Sequence, residues 1–489
     1  MKTFTSKLFS VILPLVVLGG VTTSCTNEMD VERAFVTNAD VVISLSPYHI
    51  SLSEAFDHLR TTFDAMGDDK TRAIERGDWS VQTFTISDFI PQTRTNGTTE
   101  DGDAIYVVNF DNDEGFAILS ADSRLPDNVI AYGSKGNINL TPTPITEITT
   151  ALTLEDLYAA EDDDYLLGLD NSDKVISGLV TNYVTSRIVI IGVMPGKDGQ
   201  ILQPPTNQVT YTYKYDTVEY IPEMLTTTWH QHSPYNDQCP NRYYYKGLLD
   251  ITYKTIKPYN FDAIGAWGNN FVKEEDLTAG CVAIAVAQIL AYNEFPSMKE
   301  LLNDDNAMPW DSLRMDNINS NDVQAIQRQK LYKAKLVHKV GVGCDMCYGF
   351  YEEQSFATPA AAKRYLDALG YSNVGRTVKY DLDVVKTQLR GNRPIFIGAL
   401  SGLVNGHAWV IDGYKKVQTI KIGKNSNGEI VSSSVASTNQ YVHCNWGWGG
   451  YCDGWFTTGL VDESFSPNDD YEFDWWFRLV TYEKPDIEQ

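Results

Sequence analysis

An α+β fold in two lobes, preceded by a smaller α+β unit, is what the order of patterns in this chain of 489 residues predicts. Three observations lead there. Helical periodicity follows Cys281 and returns in "TPAAAKRYLDALG" near 358–370. Strand-like runs then alternate with turns: "RPIFIGAL", "HAWVIDGYKKV", "QYVHCNWGWGG", "WFTTG" and "FDWWFRLVTYE". Helices and strands segregated along a chain mark α+β architecture, here two lobes with a cleft. Finally, "VMPGKDGQILQPPTNQVT" (193–210) is dense in Gly, Pro and polar residues and sets off an N-terminal part with helices and strands of its own.

The chain opens on "MKTFTSKLFSVILPLVVLGGVTTSC", a basic start (Lys2, Lys7) and an apolar stretch from Leu8 to Leu18, ending in small residues. That is an export signal, too short between its flanks to span a bilayer. It resembles a bacterial lipoprotein signal, which makes Cys25 the lipidated N-terminus and anchors the protein to the cell envelope. Thr22 departs from the bulky apolar residue usual there, and secretion with cleavage near Cys25 is the alternative. "SLSEAFDHLRTTFDAM" then reads as a helix, and "AIYVVNFDNDEGFAILSADSRLPDNVIAYG" as a hairpin about "DNDEG". An acidic helical stretch, 153–188, completes the N-terminal unit. The expected boundaries are 1–24 signal, 25–192 N-terminal domain, 193–214 linker and 215–489 C-terminal domain. No internal repeat is present.

The length exceeds one ordinary core, and 43% apolar residues is globular composition. A net charge of −25 argues against nucleic acid or an anionic membrane surface as partner. Seven cysteines are sparse for an exported chain. With Cys25 lipidated and Cys281 a free thiol, Cys239, Cys344, Cys347, Cys444 and Cys452 form an odd set that cannot all pair.

Chemistry concentrates in three segments. "TAGCVAIAVAQILAYNEFP" (278–296) puts Cys281 where a turn of small residues becomes an apolar helix. A helix N-terminus favours an anion, so a cysteine there ionises more readily. A thiolate needs a base, and the base needs a third group to fix its tautomer. His407 follows Gly406 at the start of a strand in "VNGHAWVIDGY", placed to project into a cleft. His443, inside "YVHCNW", reads as a packed strand residue, and His230 and His232 as residues of a polar turn. In "HCNWGWGG", Asn445 could accept the imidazole N–H while Trp446 or Trp448 shields it; the bland alternative is a packing turn. Cysteine, histidine and Asn-Trp in this order fit a papain-type constellation.

"GCVAIAVAQILAYNEFP", "GHAWVIDGY" and "NWGWGGYCDGWF" resemble the nucleophile, base and tryptophan segments of the streptopain-like cysteine peptidases. "WHQHSPYNDQCP" resembles the segment supplying their oxyanion-hole glutamine, and "YVVNFDNDEGFAILSADSRLP" their inhibitory propeptide. The resemblance implies a papain-like two-lobe cysteine peptidase domain behind an α+β inhibitory prodomain. Cys281 is then the nucleophile, His407 the general base and acid, and Gln231 the oxyanion donor beside the Cys281 N–H. Orienting the imidazole falls to Asn445 or Trp446, and Ser355 and Gly406 are candidates for contacting substrate backbone. The implied partners are protein or peptide substrates and the chain's own prodomain; no cofactor or metal is called for. "FYEEQSFA" departs from the family's loop of small residues between "CYG" and "TPAAAKRYL", which leaves subsite preference open.

"CDMC" (344–347) is a C-x-x-C, but only His338 lies close as a further zinc ligand and no thioredoxin-like context surrounds it. Buried thiols or a local disulfide are the remaining readings. Rival classes for the whole chain are a catalytically silent inhibitor or binding protein of the same fold, and a cell-wall cysteine amidase or transglutaminase. An intact Cys281, His407 and Asn445 speak against the first, and the propeptide-like unit against the second.

Overall fold

Side-chain alternation and glycine turns build the centre of the described residues into one long antiparallel sheet, with helices packed on both of its faces. The structure, a computed structural model, describes residues 48–66, 74, 77–90, 102–142, 172–192, 210–246, 252–256, 271–315, 322–351, 354–372, 374, 378–401, 405–425, 427–461 and 476–485. Cys25 and the proposed export signal lie outside them. Among the described residues no helix is long and apolar enough to cross a membrane.

The N-terminal part begins with helix α1 (Leu52–Met66) and strands β1 (Trp79–Thr85), β2 (Asp103–Phe110), β3 (Phe116–Ser120) and β4 (Val129–Gly133). Every residue of β3 and β4 is buried, as strands covered on both faces must be. Helix α2 (Ser172–Gly192) follows, then β5 (Thr210–Ile221). Strands β6 (Asn241–Lys246), β7 (Thr252–Ile256) and β8 (Phe271–Asp276) make a separate small sheet.

Helix α3 (Cys281–Asn293), "CVAIAVAQILAYN", is apolar all round, and all its residues but Tyr292 are buried. A helix without a polar face can only be central. It packs on helix α4 (Val323–Gly343), capped by the Asp322 carboxylate, and on helix α5 (Pro359–Ala368), which has Thr358 as N-cap and Pro at its first position. Between α4 and α5 lies a hairpin of β9 (Cys347–Tyr351) and β10 (Gln354–Phe356).

The C-terminal half supplies β11 (Val378–Lys379), helix α6 (Leu382–Arg390), β12 (Ile395–Ser401), β13 (Asn405–Lys424), β14 (Ile430–Asn445), β15 (Gly454–Thr457) and β16 (Trp476–Val480). The main sheet runs β1-β2-β3-β4-β15-β14-β13-β12-β16-β11, with β5 also paired to β13. The expected α+β class is observed.

One expected boundary changes. The N-terminal unit joins the sheet of the C-terminal half: β4 pairs with β15 through Gly133↔Gly454, Tyr132↔Trp455 and Ala131↔Phe456, and Ser44–Gln489 forms one compact unit. Phe116, Ile118 and Ala131 share a core with Trp409, Val442, Trp446 and Phe456. The linker assigned to 193–214 is too long. "TYTYKYDTVEYI" alternates with a period of two, and from Thr210 it is strand β5, bound to β13 as far as Ile221. The rest of that stretch, 193–209, lies outside the described residues.

One buried carboxylate holds the two parts together. Asp127, just before β4, accepts from the Tyr183 hydroxyl of α2 (2.7 Å), Asn439 Nδ2 of β14 (2.7 Å) and the Thr457 hydroxyl of β15 (3.0 Å). Asp127→Ala would strand three buried donors. It is expected to lower unfolding free energy by about 3 kcal/mol in urea titration. An unchanged midpoint would mean that water or neighbours replace the carboxylate at no cost.

Candidate active site

Cys281 is the first residue of α3, and its placement starts with Gly280. That N-cap residue has φ 88°, a conformation that L side chains rarely adopt. Any Cβ there would also run into the Met346 methyl. The loop before it is fastened twice. Ala279 N–H donates to the Gln231 carbonyl (2.9 Å), and the Ser355 hydroxyl donates to the Thr278 carbonyl (2.6 Å). The first bond sets buried Gln231 alongside the cysteine loop. The second spends the Ser355 hydroxyl on the loop in a site only 1% exposed, so this side chain braces the turn before Cys281.

Burial pushes the Cys344 and Cys444 thiols up from their ordinary range, as for inert core cysteines. Cys239, Cys281, Cys344, Cys347, Cys444 and Cys452 are all free thiols, so the local disulfide considered for "CDMC" is not formed. Among the described residues no group of three or more His, Cys, Asp or Glu side chains could hold a metal ion.

His407, fully buried, stands on β13 with Gly406 paired to Leu400 of β12. Its Nε2 lies 2.9 Å from the backbone carbonyl oxygen of Trp446, which can only accept. Nε2 therefore carries the proton of the neutral imidazole. Trp448 stacks on the imidazole (4.8 Å, 27°), and Trp446 lies nearly parallel to Trp448 (5.2 Å, 9°). Trp409 closes the stack against Trp446 (4.7 Å). The indoles pack about the imidazole, Trp448 being the nearest, and the hydrogen bond to Nε2 comes from the Trp446 main chain.

Asn445 has a different duty from the one considered for it. Its Oδ1 accepts from Gln288 Nε2 (3.0 Å), and its Nδ2 donates to the Thr227 carbonyl (2.9 Å). Strand geometry explains why. Asn445 pairs with Val410, and partners in an antiparallel ladder share a face. His407 is three residues from Val410 and so faces the opposite way. The amide points to α3, and the imidazole to the tryptophans.

Behind this turn stand charged residues that the sequence motifs do not single out. Asp453 Oδ1 accepts the Trp446 N–H (2.8 Å), and Asp412 accepts from Leu225 N–H (2.8 Å) beside His443 Nδ1 (2.6 Å). Burial pushes the Asp453 carboxyl up to about 7, against the pull of the Trp446 N–H and of His443. Burial opposes the charge on His443, but Asp412 with Asp453 and Glu223 raises it overall. A lone acid closing "WGWGGYCD" was the available signal. From the N-terminal unit, Lys135 Nζ donates to the Gly449 carbonyl (3.3 Å), and Tyr451 hydroxyl bonds both the N–H (3.1 Å) and the carbonyl (2.9 Å) of Asn137.

Comparison with known proteins agrees with these motifs. Residues 229–456 match the Peptidase C10 family, and residues 60–155 the Spi protease inhibitor family. Streptopain of Streptococcus pyogenes serotype M1 is 28% identical over 262 residues, 45% of this chain and 57% of the relative. A second Streptococcus pyogenes streptopain is 27% identical over the same extent. The chain thus spans 57% of the length of these curated relatives. Among solved structures, a prointerpain A fragment of Prevotella intermedia is 19% identical with a TM-score of 0.45, covering 83% of this chain and 100% of that one. Active interpain A of the same organism is 23% identical with a TM-score of 0.33, covering 54% and 95%. Residues 229–456 thus resemble the streptopain-like Peptidase C10 family, as the motifs imply, and a Spi-inhibitor-like segment precedes them.

Two outcomes are expected. Asn445→Ala should lower stability by about 2–3 kcal/mol in urea unfolding, since it strands Gln288 and the Thr227 carbonyl, yet leave the imidazole N–H resonance of His407 in place. Loss of that resonance would return Asn445 to the orienting role. The second concerns pH. A carboxyl with a folded pKa of about 7 against 3.8 ordinarily stabilises the fold fully below about pH 4, and the contribution is lost as pH rises through 7. The urea midpoint of Asp453→Asn should therefore gain on wild type between pH 5 and pH 8. A constant difference would mean that the carboxyl titrates normally.

Proposed function

We propose that this chain is an exported cysteine endopeptidase made as a zymogen, lipid-anchored at Cys25. The observation that carries the catalytic reading is the His407 Nε2 contact with the Trp446 carbonyl (2.9 Å), combined with Cys281 at a helix N-terminus. A fixed Nε2–H tautomer leaves Nδ1 without the proton, as a general base for a thiol requires. Nδ1 takes the proton from Cys281, and the thiolate attacks the scissile carbonyl. The Cys281 N–H and the Gln231 side-chain amide hold the oxyanion. Imidazolium then protonates the leaving amine, a thioester remains, and water activated by the same imidazole releases the acid. Gly406, on the strand beside His407, is the candidate for backbone contact with substrate.

The zymogen reading is supported by the Spi-inhibitor-like match and by the way the N-terminal unit meets the site. It adds its strands to the sheet through β4 and lays Lys135 and Asn137 on the tryptophan turn behind His407. Inhibition then works through the support of the imidazole, and separating the unit by a cut frees that support.

Wild-type protein is expected to convert to a shorter form on storage, while full-length Cys281→Ala persists uncut. The new N-terminus should fall before Thr210, because β5 is held in the sheet along its length. A cut inside 210–221, read by N-terminal sequencing, would contradict that placement. Gln231→Ala should lower kcat about a hundred-fold with little change in KM. Wild-type kcat in that variant would return Gln231 to a turn residue. Casein hydrolysis separates the peptidase from a silent inhibitor, and peptidoglycan release in place of casein hydrolysis would favour the amidase.

A further inference from the structure

We propose that Asp453 is a positioning residue for His407, acting through the backbone of Trp446. The inference rests on the catalytic reading of His407 above. The imidazole leans on a main-chain carbonyl, and that carbonyl belongs to a turn with little regular support. Gly447 (φ 74°), Gly449 (φ 73°), Gly450 (φ 79°) and Cys452 (φ 59°) all lie in the left-handed region. Glycines give such a turn its shape and also its freedom, since they lose the most conformational entropy on being fixed. A tautomer-setting acceptor must nevertheless stay put, because a displacement near an ångström can cost about a hundred-fold in rate.

Asp453 supplies the fixing point. It stands at the foot of β15, seven residues beyond Trp446, and its Oδ1 takes the Trp446 N–H at 2.8 Å. One residue is thereby held at both ends: its N–H by Asp453, its carbonyl against His407 Nε2. A bond from N–H to a carboxylate is about twice as strong as one to a neutral acceptor. The groups around the carboxylate keep it partly charged despite burial. His443 of β14 and Lys135 of the N-terminal unit favour the anion, and Asp412 of β13 opposes it. Glu223 lies on the far side, accepting from Trp455 Nε1 (3.1 Å) and adding to the field on His443.

A carboxylate held in such a place lowers stability at neutral pH, so packing alone does not account for it. Lys135 ties the inference to the zymogen. The N-terminal unit touches this turn at the Gly449 carbonyl, three residues from Trp446, and its departure takes away a cation beside Asp453.

The test uses the full-length chain, 15N-labelled at histidine, with Asp453→Asn and Asp453→Ala; His407→Asn identifies the His407 resonance by its loss. A protected Nε2–H signal is expected in wild type and in Asp453→Asn, whose amide oxygen still accepts the Trp446 N–H, and not in Asp453→Ala. After self-processing, Asp453→Ala should lose about ten-fold or more in kcat on a peptide substrate with KM within about two-fold, and Asp453→Asn should recover most of it. Should Asp453→Ala fail to fold, Asp453→Ser, too short to reach Trp446, takes its place with the same expectation. An unchanged Nε2–H signal and kcat in Asp453→Ala, or equal damage in Asp453→Asn, overturns the inference. If wild type hydrolyses no peptide at all, the peptidase reading fails, and the resonance alone decides whether Asp453 positions His407.

Discussion

A seam of buried amides and carbonyls between the helical lobe and the sheet is the constraint on which the site depends. Its centre is the trio Thr227, Gln288 and Asn445. The Thr227 hydroxyl donates to Gln288 Oε1 (2.7 Å), Gln288 Nε2 to Asn445 Oδ1 (3.0 Å), and Asn445 Nδ2 to the Thr227 carbonyl (2.9 Å). The ring is closed, so α3, β14 and the chain between them cannot shift apart without stranding polar groups where no water replaces the lost bonds. Residues just beyond continue the stitching: the Trp229 carbonyl accepts from Gly449 (3.1 Å), and the Gln231 carbonyl from Ala279 (2.9 Å). The short stretch 227–231 thereby ties the helix that begins at Cys281 to the turn that meets the imidazole of His407.

The second constraint is the edge of the sheet. Strand β15 would present unpaired N–H and C=O groups to water if β4 were absent, and an open edge invites pairing with other chains. The N-terminal unit covers it, extending the ladder and burying Phe456 and Trp446 in a common core. Asp127, with three donors from α2, β14 and β15, converts that covering into a specific union. The same union carries Lys135 and Asn137 onto the tryptophan turn.

The aromatic stack about His407 serves a different end. The rings of Trp448, Trp446 and Trp409 lay apolar surface beside the imidazole, and the Trp446 carbonyl accepts its Nε2–H. A low-dielectric setting strengthens that bond. It also makes the bond sensitive to whatever holds Trp446, which is why the glycine turn and Asp453 matter beyond packing.

By itself the sequence determined the α+β class, the family resemblance, and the three segments that carry Cys281, His407 and the Asn-Trp pair. Those features are written in local patterns: a largely apolar helix behind a Gly-Cys turn, alternation after His407, glycines around Trp448. The tertiary structure decided what local pattern cannot hold. Which of Asn445 and Trp446 meets the imidazole depended on the register of β13 against β14, where one step moves a side chain to the other face. Ser355 gave its hydroxyl to Thr278, 77 residues away in the chain, a contact no spacing rule contains. The start of β5 and the joining of β4 to β15 were settled by pairing partners distant in sequence. The grouping of Asp453, His443, Asp412 and Lys135 likewise exists only once the sheet brings four separate strands or turns together, because charge acts through space and not along the chain.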